Sequence, residues 1–343
     1  MLPLQKATYA CLLFCMILCL IIYGKGFLVP VILAFVLWYL INAVNQLIRM
    51  IPSVGTKAPS GLTLAIAAIT VLMITVSAGS LIGQQINAMV ATAPDYRVNL
   101  EQQLTRILGG IGYRQPVNLQ SITSELDISS YLGSLLSSFS AIARQFLLVL
   151  LYTLFLLVEQ HTFSRKIAAL RLNKERKMKL AEVLDKINRA IRTYIGVKFA
   201  ASLATGLLSY VVIQLAGVDF ALFWAFLIFV FNFIPTIGSI AATLFPSLIA
   251  LVQFEYLTPF FIVLVGVGAI QLVIGGLLEP RLYGNALNIS PFVVVLTLIL
   301  WGLLWGIVGM LLCVPITVIM ITLFAQFPTT RPIAVLLSQR GRV

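Results

Sequence analysis

Long apolar stretches, separated by short polar or charged segments, repeat along most of the chain. A helix needs roughly 20 predominantly apolar residues to cross the hydrocarbon core of a bilayer. Several stretches reach this length, and they form two groups of four on either side of a basic segment. The pattern predicts an all-α polytopic membrane protein with about eight transmembrane segments at Ala7–Tyr23, Phe27–Leu47, Gly61–Ile82, Ala141–Val158, Val197–Gly217, Phe220–Val252, Pro259–Leu278 and Pro291–Phe324.

Composition and charge agree with a membrane location. Of 343 residues, 60% are hydrophobic and 10% are charged, whereas about a quarter of the residues in a soluble domain are charged. The net charge of +12 would suggest nucleic acid in a soluble chain. In a membrane chain, basic residues mainly mark the loops that stay in the cytoplasm. We therefore expect the protein to contact membrane lipid and not nucleic acid.

Basic residues also predict the orientation of the chain. The segment Glu159–Lys198 contains eleven Lys or Arg and four acidic residues, so it is expected in the cytoplasm of a bacterial inner-membrane protein. Counting crossings back from this segment places residues 83–140 outside and the N-terminus inside. The tail, which contains Arg331 and Arg340, is also expected inside.

The same reasoning gives a domain organisation. Transmembrane segments 1–3 occupy residues 1–82, extracytoplasmic amphipathic helices residues 83–140, and segment 4 residues 141–158. A basic cytoplasmic helix at 159–196 runs directly into segments 5–8 at 197–326, and a cytoplasmic tail follows at 327–343. An apolar stripe that includes Met178, Leu184 and Ile191 suits either a helix that packs on a neighbouring subunit or moves with the bundle, or a helix lying on anionic lipid.

Residue types that support intramembrane catalysis are scarce. The only histidine, His161, lies in a predicted loop, the predicted spans contain no Asp, and no GxxxxGK[ST] phosphate-binding loop occurs. Three of the four cysteines, Cys11, Cys15 and Cys19, recur every four residues on one helix face, which is more typical of apolar packing than of a metal site. We expect neither enzymatic activity nor a cofactor or metal.

Two apolar segments are too long for one plain crossing and are interrupted. Phe220–Val252 contains Asn232-Phe-Ile-Pro-Thr-Ile-Gly238, where Pro235 frees a backbone carbonyl and Gly238 allows a tight turn, while Asn232 and Thr236 add hydrogen-bonding side chains. Pro291–Phe324 contains Gly302, Gly306, Gly309 and Pro315. Paired interruptions point to a transport site at mid-membrane depth, although kinked or re-entrant helices that merely pack explain them too.

Glu279 and Arg281 end an apolar span that also contains Gln271 two turns earlier. They could gate a pathway or bind solute, or form a structural salt bridge. Other charged residues at helix ends, such as Lys198 and Asp219, could simply be interfacial anchors or caps. No residue is assigned a catalytic role, and the candidate pathway residues are Asn232, Pro235, Thr236, Gly238, Gln271, Glu279, Arg281, Gly306 and Gly309.

Four motifs in the second half of the chain resemble the autoinducer-2 exporter family, also called the PerM-like permeases. They are GVDFALFW (217–224), FNFIPTIGS (231–239), EPRLYG (279–284) and WGLLWGIVGMLLCVP (301–315). The resemblance is strong over residues 145–325. It implies an eight-span transporter without ATP-binding parts, which exports the quorum-sensing furanone autoinducer-2 in some members and exchanges sodium or lithium for protons in others.

The resemblance also implies a homo-oligomer, which could be a pentamer. The family's motif residues correspond here to Asn232, Pro235, Gly238, Glu279, Pro280, Arg281, Gly284, Gly306, Gly309 and Pro315. Trp305 stands where many relatives have a smaller aliphatic residue, and Asn285 where a basic residue is frequent, which affects the expected substrate more than the expected fold.

Three functions are therefore open. The first is export of a small polar, uncharged solute, because charge inside the predicted spans is scarce. The second is cation/proton antiport, which needs a titratable carboxylate within reach of the ion path. The candidates in the second half are Glu279 and Asp219, and both are expected at the periphery of the spans. The third is a non-transporting membrane scaffold that recruits partners.

Overall fold

The protein is described from a computed structural model. It describes residues 3–51, 58–110, 128–169, 173–284 and 287–341. All regular secondary structure in these ranges is helical, which confirms the predicted all-α class. The helices are α1 (Pro3–Tyr23), α2 (Lys25–Met50), α3 (Ser60–Gly110), α4 (Ile128–Ala169), α5 (Lys174–Leu215), α6 (Ala221–Phe231), α7 (Ile237–Gln253), α8 (Thr258–Gln271), a π-helix (Leu272–Leu278), α9 (Glu279–Tyr283), α10 (Pro291–Phe324) and α11 (Arg331–Leu337).

Within the described ranges, five helical stretches are long and apolar enough to cross a membrane, and shorter apolar helices accompany them. The protein is therefore a multi-pass membrane protein. The predicted stretch 83–140 does not contain separate short helices where it is described: α3 continues without interruption to Gly110, and α4 begins at Ile128. Residues 111–127, which include Pro116, lie outside the described part of the chain.

Helix α5 is a single helix of 42 residues that joins a charged first half to an apolar second half. Its first turns expose Met178 (65%), whereas Ile191 and Ile195 further along the same stripe are buried. Charged pairs one turn apart, such as Lys186–Glu182 at 3.0 Å, cover the exposed side. The apolar stripe is therefore buried near the apolar second half of α5 and exposed at Met178, near the start of the helix.

The chain divides into two compact units. The first comprises residues 1–57, 144–195 and 285–343, and the second residues 58–143 and 196–284. In the first unit, polar side chains tie α2 to its neighbours: Trp38 Nε1 donates to Gln160 Oε1 at 2.9 Å, and Tyr39 OH donates to Asn188 Oδ1 at 2.8 Å. Apolar and polar contacts together fix this helix against α4 and α5.

Helix α10 in the first unit folds back on itself. Gly306 has φ 63° and ψ −143°, a conformation available almost only to glycine. A Cβ at Gly309 would lie 1.9 Å from the Trp301 carbonyl oxygen, although residues eight apart in a straight helix are about 12 Å apart. The backbone N–H of Ser290 donates to the carbonyl of Leu337 at 3.1 Å. This contact joins the residue before α10 to the short helix α11 that follows it, and together with the turn at Gly306 it shows that α10 is a helical hairpin.

Helices α6 and α7 form a corresponding hairpin in the second unit. The side chain of Gln253 donates from Nε2 to the Gly217 carbonyl at 3.0 Å and accepts from the Asp219 N–H at 2.8 Å. The start and the end of the hairpin therefore meet. The structure confirms that two of the predicted segments are broken, and it shows that both fold back as helical hairpins. In the second unit, α6 shares one apolar core with α5 and α8, which includes Ile213, Trp224, Ile228, Val263 and Val267.

Candidate functional site

The turn between α6 and α7 directs Asn232 into the protein. Pro235 has no N–H to continue the helix, and Thr236 adopts φ 60° and ψ −61°. A Cβ at Gly238 would lie 1.8 Å from the Phe231 carbonyl oxygen, so only glycine fits this close approach. Asn232 still completes the last turn of α6, since its N–H donates to the Ile228 carbonyl at 3.0 Å. Its side chain is 4% exposed.

Asn232 belongs to a buried polar cluster, which we define as Lys198, Ser202, Asn232 and Glu279. The ammonium of Lys198 donates to both carboxylate oxygens of Glu279, at 2.9 Å and 2.7 Å. Asn232 Nδ2 donates to Ser202 Oγ at 3.1 Å and lies 3.4 Å from Glu279 Oε1. Tyr283 OH reaches Glu279 Oε2 at 3.5 Å. Lys198 is 7% exposed and Glu279 is 6% exposed, so the ion pair is shielded from solvent.

Local helix geometry explains how these residues meet. Lys198 and Ser202 are four residues apart and therefore share one face of α5. Glu279 follows the seven-residue π-helix that connects α8 to α9. Proline in an α-helix clashes with the carbonyl four residues earlier, and a wider π turn relieves such conflicts and often marks functional sites. Pro280 directly after Glu279 gives a local reason for the π-helix at this place.

The charges of the cluster balance each other. An unpaired carboxylate or ammonium in this environment would be strongly unfavourable, and removing one partner of a buried ion pair typically costs about 3–5 kcal/mol. Asn232 and Ser202 occupy further hydrogen-bonding positions around the pair. The arrangement offers donors and acceptors for a polar ligand without a net charge, and its carboxylate could exchange a proton or cation if Lys198 moved away.

The structure brings together only some of the predicted site residues. Asn232 and Glu279 meet, with Gly238 buried in the adjacent turn and Pro235 half-buried, whereas Thr236 is exposed. Arg281 is also exposed, and the salt bridge of Glu279 is formed with Lys198 instead. Gln271 is buried on α8, eight residues before Glu279. Gly306 and Gly309 belong to the other compact unit, at the turn of its hairpin.

Sequence reasoning missed Lys198 and Ser202 as members of the site. Lys198 was expected as a possible interfacial anchor, yet its ammonium is buried and paired. A signal existed in the polar residues Lys198, Ser202, Thr205 and Ser209, which follow each other at spacings of four, three and four along an apolar span. This spacing places all four on one helix face.

Comparisons with known proteins agree with these features. Residues 10–329 match the AI-2E family of transporters. The chain is 32% identical over 335 residues to the AI-2 transport protein TqsA of Escherichia coli K12, covering 95% of this chain and 93% of that protein. It is 38% identical over 224 residues to a Borreliella burgdorferi protein provisionally named a transport protein, covering 64% of this chain and 61% of that one.

Proposed function

The chain belongs to the AI-2E transporter family, and we propose that it exports a small polar solute, autoinducer-2, across the bacterial inner membrane without hydrolysing ATP. The buried polar cluster carries this proposal. Lys198, Ser202, Asn232 and Glu279 meet at the tip of a re-entrant hairpin, inside a unit that is otherwise rich in apolar residues. The relative named as an AI-2 transport protein covers nearly the whole chain, which supports this substrate.

The chemistry of the cluster suits a neutral ligand with several hydroxyl groups. Lysine and amide N–H groups donate hydrogen bonds, while carboxylate and serine oxygens accept them. Hydroxyl groups of a solute can replace either side of these interactions without leaving an isolated charge. We therefore assign Asn232, Glu279, Lys198 and Ser202 to solute binding, and Pro235 and Gly238 to forming the turn that presents Asn232.

The hairpins suggest how the solute path is built. If α5 leaves the cytoplasm at Lys198, the α6–α7 hairpin enters from the outer face and its tip reaches the depth of Ser202. The next crossing, α8 to α9, then returns to the cytoplasmic side, since Glu279 pairs with Lys198. Both termini are then placed in the cytoplasm. A helix that is broken inside the membrane is a common feature of transporters that bind solute at mid-membrane depth.

The direct test compares autoinducer-2 inside and outside cells that contain or lack this chain. Cells with the chain should hold less autoinducer-2 and release it faster, and Glu279→Gln should abolish the difference. Glu182→Gln is the matched control, because Glu182 is exposed on α5 and pairs with Lys186 one turn away. Equal distributions with and without the chain would remove the export proposal.

Cation/proton antiport is the second candidate, and the burial of Glu279 favours it. Such exchange needs a titratable carboxylate inside the membrane, and Glu279 is enclosed rather than peripheral. Sodium-driven proton movement in proteoliposomes that is lost in Glu279→Gln supports antiport. Autoinducer-2 movement that needs no ion gradient supports simple export. If neither ion nor solute moves, the scaffold function gains support. The number of subunits in the homo-oligomer that the family resemblance implies can be measured in the same preparation.

A further inference from the structure

Three buried polar side chains in the second unit have no hydrogen-bond partner among the described residues. They are Ser209 on α5, Trp224 on α6 and Gln271 on α8, and for Gln271 both amide atoms are unpartnered. Their exposures are 0%, 6% and 7%. Most buried polar groups in proteins are paired. Ser247, which is equally buried, follows this rule and donates to the Thr243 carbonyl at 2.7 Å. The three exceptions therefore call for a partner.

Helix packing places Trp224 close to the depth of Ser209. Helices α5 and α6 run antiparallel, because Ser202 contacts Asn232 and the Gly206 position faces Ala225, with an ideal Cβ 3.1 Å from the Ala225 carbonyl oxygen. Trp224 is the neighbour of Ala225, and Ser209 lies three residues beyond Gly206. At a rise of 1.5 Å per residue, the two side chains start within about 5 Å of each other in depth.

Helix α8 places Gln271 at the same depth. It runs antiparallel to α5, since Lys198 contacts Glu279 at one end and the Val212 side chain lies 2.7 Å from an ideal Cβ on Gly266 at the other. Interpolation between these two contacts sets Gln271 level with Gly206, within about one helical turn of Ser209.

The three side chains also point toward the same part of the core. Ile213 lies one turn after Ser209, and Val267 lies one turn before Gln271, so each shares a helix face with its polar neighbour. Ile213, Val267 and Trp224 belong to one contiguous core. The polar atoms of the three helices thus face one region, which we call the three-helix polar region (Ser209, Trp224, Gln271).

We propose that the three-helix polar region binds a small neutral solute that carries hydroxyl or carbonyl groups. The indole N–H only donates, the amide of Gln271 donates and accepts, and the serine hydroxyl does both. None of the three side chains is charged, so the region is not suited to binding an ion or a charged metabolite. The inference rests on the proposed export function. It adds a second binding position, about 12 Å from Glu279 along the helix that carries Gln271.

The test measures equilibrium binding of autoinducer-2 to the purified full chain in detergent. Ser209→Ala and Gln271→Leu each remove a hydrogen-bonding group and should weaken binding about tenfold. Ser247→Ala makes the same substitution at an equally buried serine whose hydroxyl is already paired, and it should leave binding unchanged. If Gln271→Leu does not fold, Ser209→Ala against Ser247→Ala still decides the result.

A fluorescence measurement locates the ligand. In Trp38→Phe/Trp301→Phe/Trp305→Phe, Trp224 is the only tryptophan left, and its emission should shift when autoinducer-2 binds. If Ser209→Ala and Gln271→Leu bind autoinducer-2 as the wild type does, the three-helix polar region is not a binding site, and its polar groups pair only with each other or with water. Export by the wild type would still support the proposed function in that case.

If the wild type neither exports nor binds autoinducer-2, the proposed function fails. The region is then tested with glycerol, erythritol and ribose on the same Trp224 emission. A saturable shift with any of them supports a site for neutral hydroxylated solutes. No shift with any of them overturns the inference.

Discussion

The Nζ atom of Lys198 lies 2.7 Å from Oε2 of Glu279, although the two residues are 81 positions apart in the chain. This contact joins the beginning of the membrane span of α5 to the end of the span that continues through α8 and the π-helix. It therefore requires two helices that run in opposite directions and end at the same depth. Both side chains are buried, so each depends on the other for compensation of its charge.

Lys198→Met leaves the carboxylate of Glu279 buried and unpaired. We expect this variant to be about 3–5 kcal/mol less stable than the wild type, whereas Lys198→Met/Glu279→Leu regains most of the loss because no lone charge remains. Thermal unfolding in detergent measures the effect. The control is Lys186→Met, whose exposed pair with Glu182 contributes about 0.5 kcal/mol or less. A Lys198→Met protein as stable as the wild type contradicts the buried ion pair.

Arg281→Gln tests whether Arg281 takes part in export, as its place in the EPRLYG motif suggests, or not, as its exposed position indicates. Arg281 stands two residues after Glu279 but is exposed, and Glu279 pairs with Lys198. We expect the export rate to change by no more than about twofold and the free energy of unfolding by no more than about 0.5 kcal/mol, as is usual for surface substitutions. Export assays run beside Glu279→Gln provide the comparison. If Arg281→Gln loses as much export as Glu279→Gln, Arg281 is part of the solute path.

Gly306→Ala tests the turn of the α10 hairpin. The substituted Cβ meets no neighbour, but φ at this position is +63°, and ψ −143° makes the conformation nearly exclusive to glycine. We expect a stability loss of about 1–3 kcal/mol from backbone strain. Gly79→Ala is the control, since Gly79 lies in the helical part of α3 with open space around it, and alanine there favours the helix by up to about 1 kcal/mol. Equal stabilities of the two variants would mean that the turn is not strained.

Single cysteines test the re-entrant path of α6 and α7. After replacement of the four native cysteines, Asp219→Cys and Tyr256→Cys flank the hairpin at the end where Gln253 contacts Gly217. Both are expected to react with a membrane-impermeant maleimide from outside the cell. Lys179→Cys, on the part of α5 that is proposed to be cytoplasmic, should react only after permeabilisation. Labelling of positions 219 and 256 from opposite faces would show a single crossing instead of a hairpin.

Local rules account for what could be predicted at the level of the fold. Hydropathy identified the helical stretches, and Pro235 and Gly306 identified the two interruptions, because a missing N–H or a positive φ acts on its own turn of helix. The continuous helix α5 also followed from spacing alone. The candidate site was predicted in part: Asn232 and Glu279 meet, but Lys198 and Ser202 were not singled out.

The missed features depend on helix rotation and register. The π-helix between Gln271 and Glu279 changes the direction in which the following side chains point, so Glu279 faces inward while Arg281 is exposed. Hydropathy is nearly uniform along this span and does not report rotation. For the same reason, hydropathy could not predict the antiparallel register that brings Lys198 to Glu279.

Residue order alone was sufficient to establish a helical membrane protein with two broken segments, since every backbone hydrogen bond in lipid must be satisfied locally and each break must be encoded where it occurs. Which polar groups meet, and whether a broken segment crosses or returns, was settled by the packing of helices distant in sequence. Those choices depend on side-chain fit between antiparallel neighbours, such as Gly266 against Val212, and a one-turn shift would separate Lys198 from Glu279 by about 5 Å.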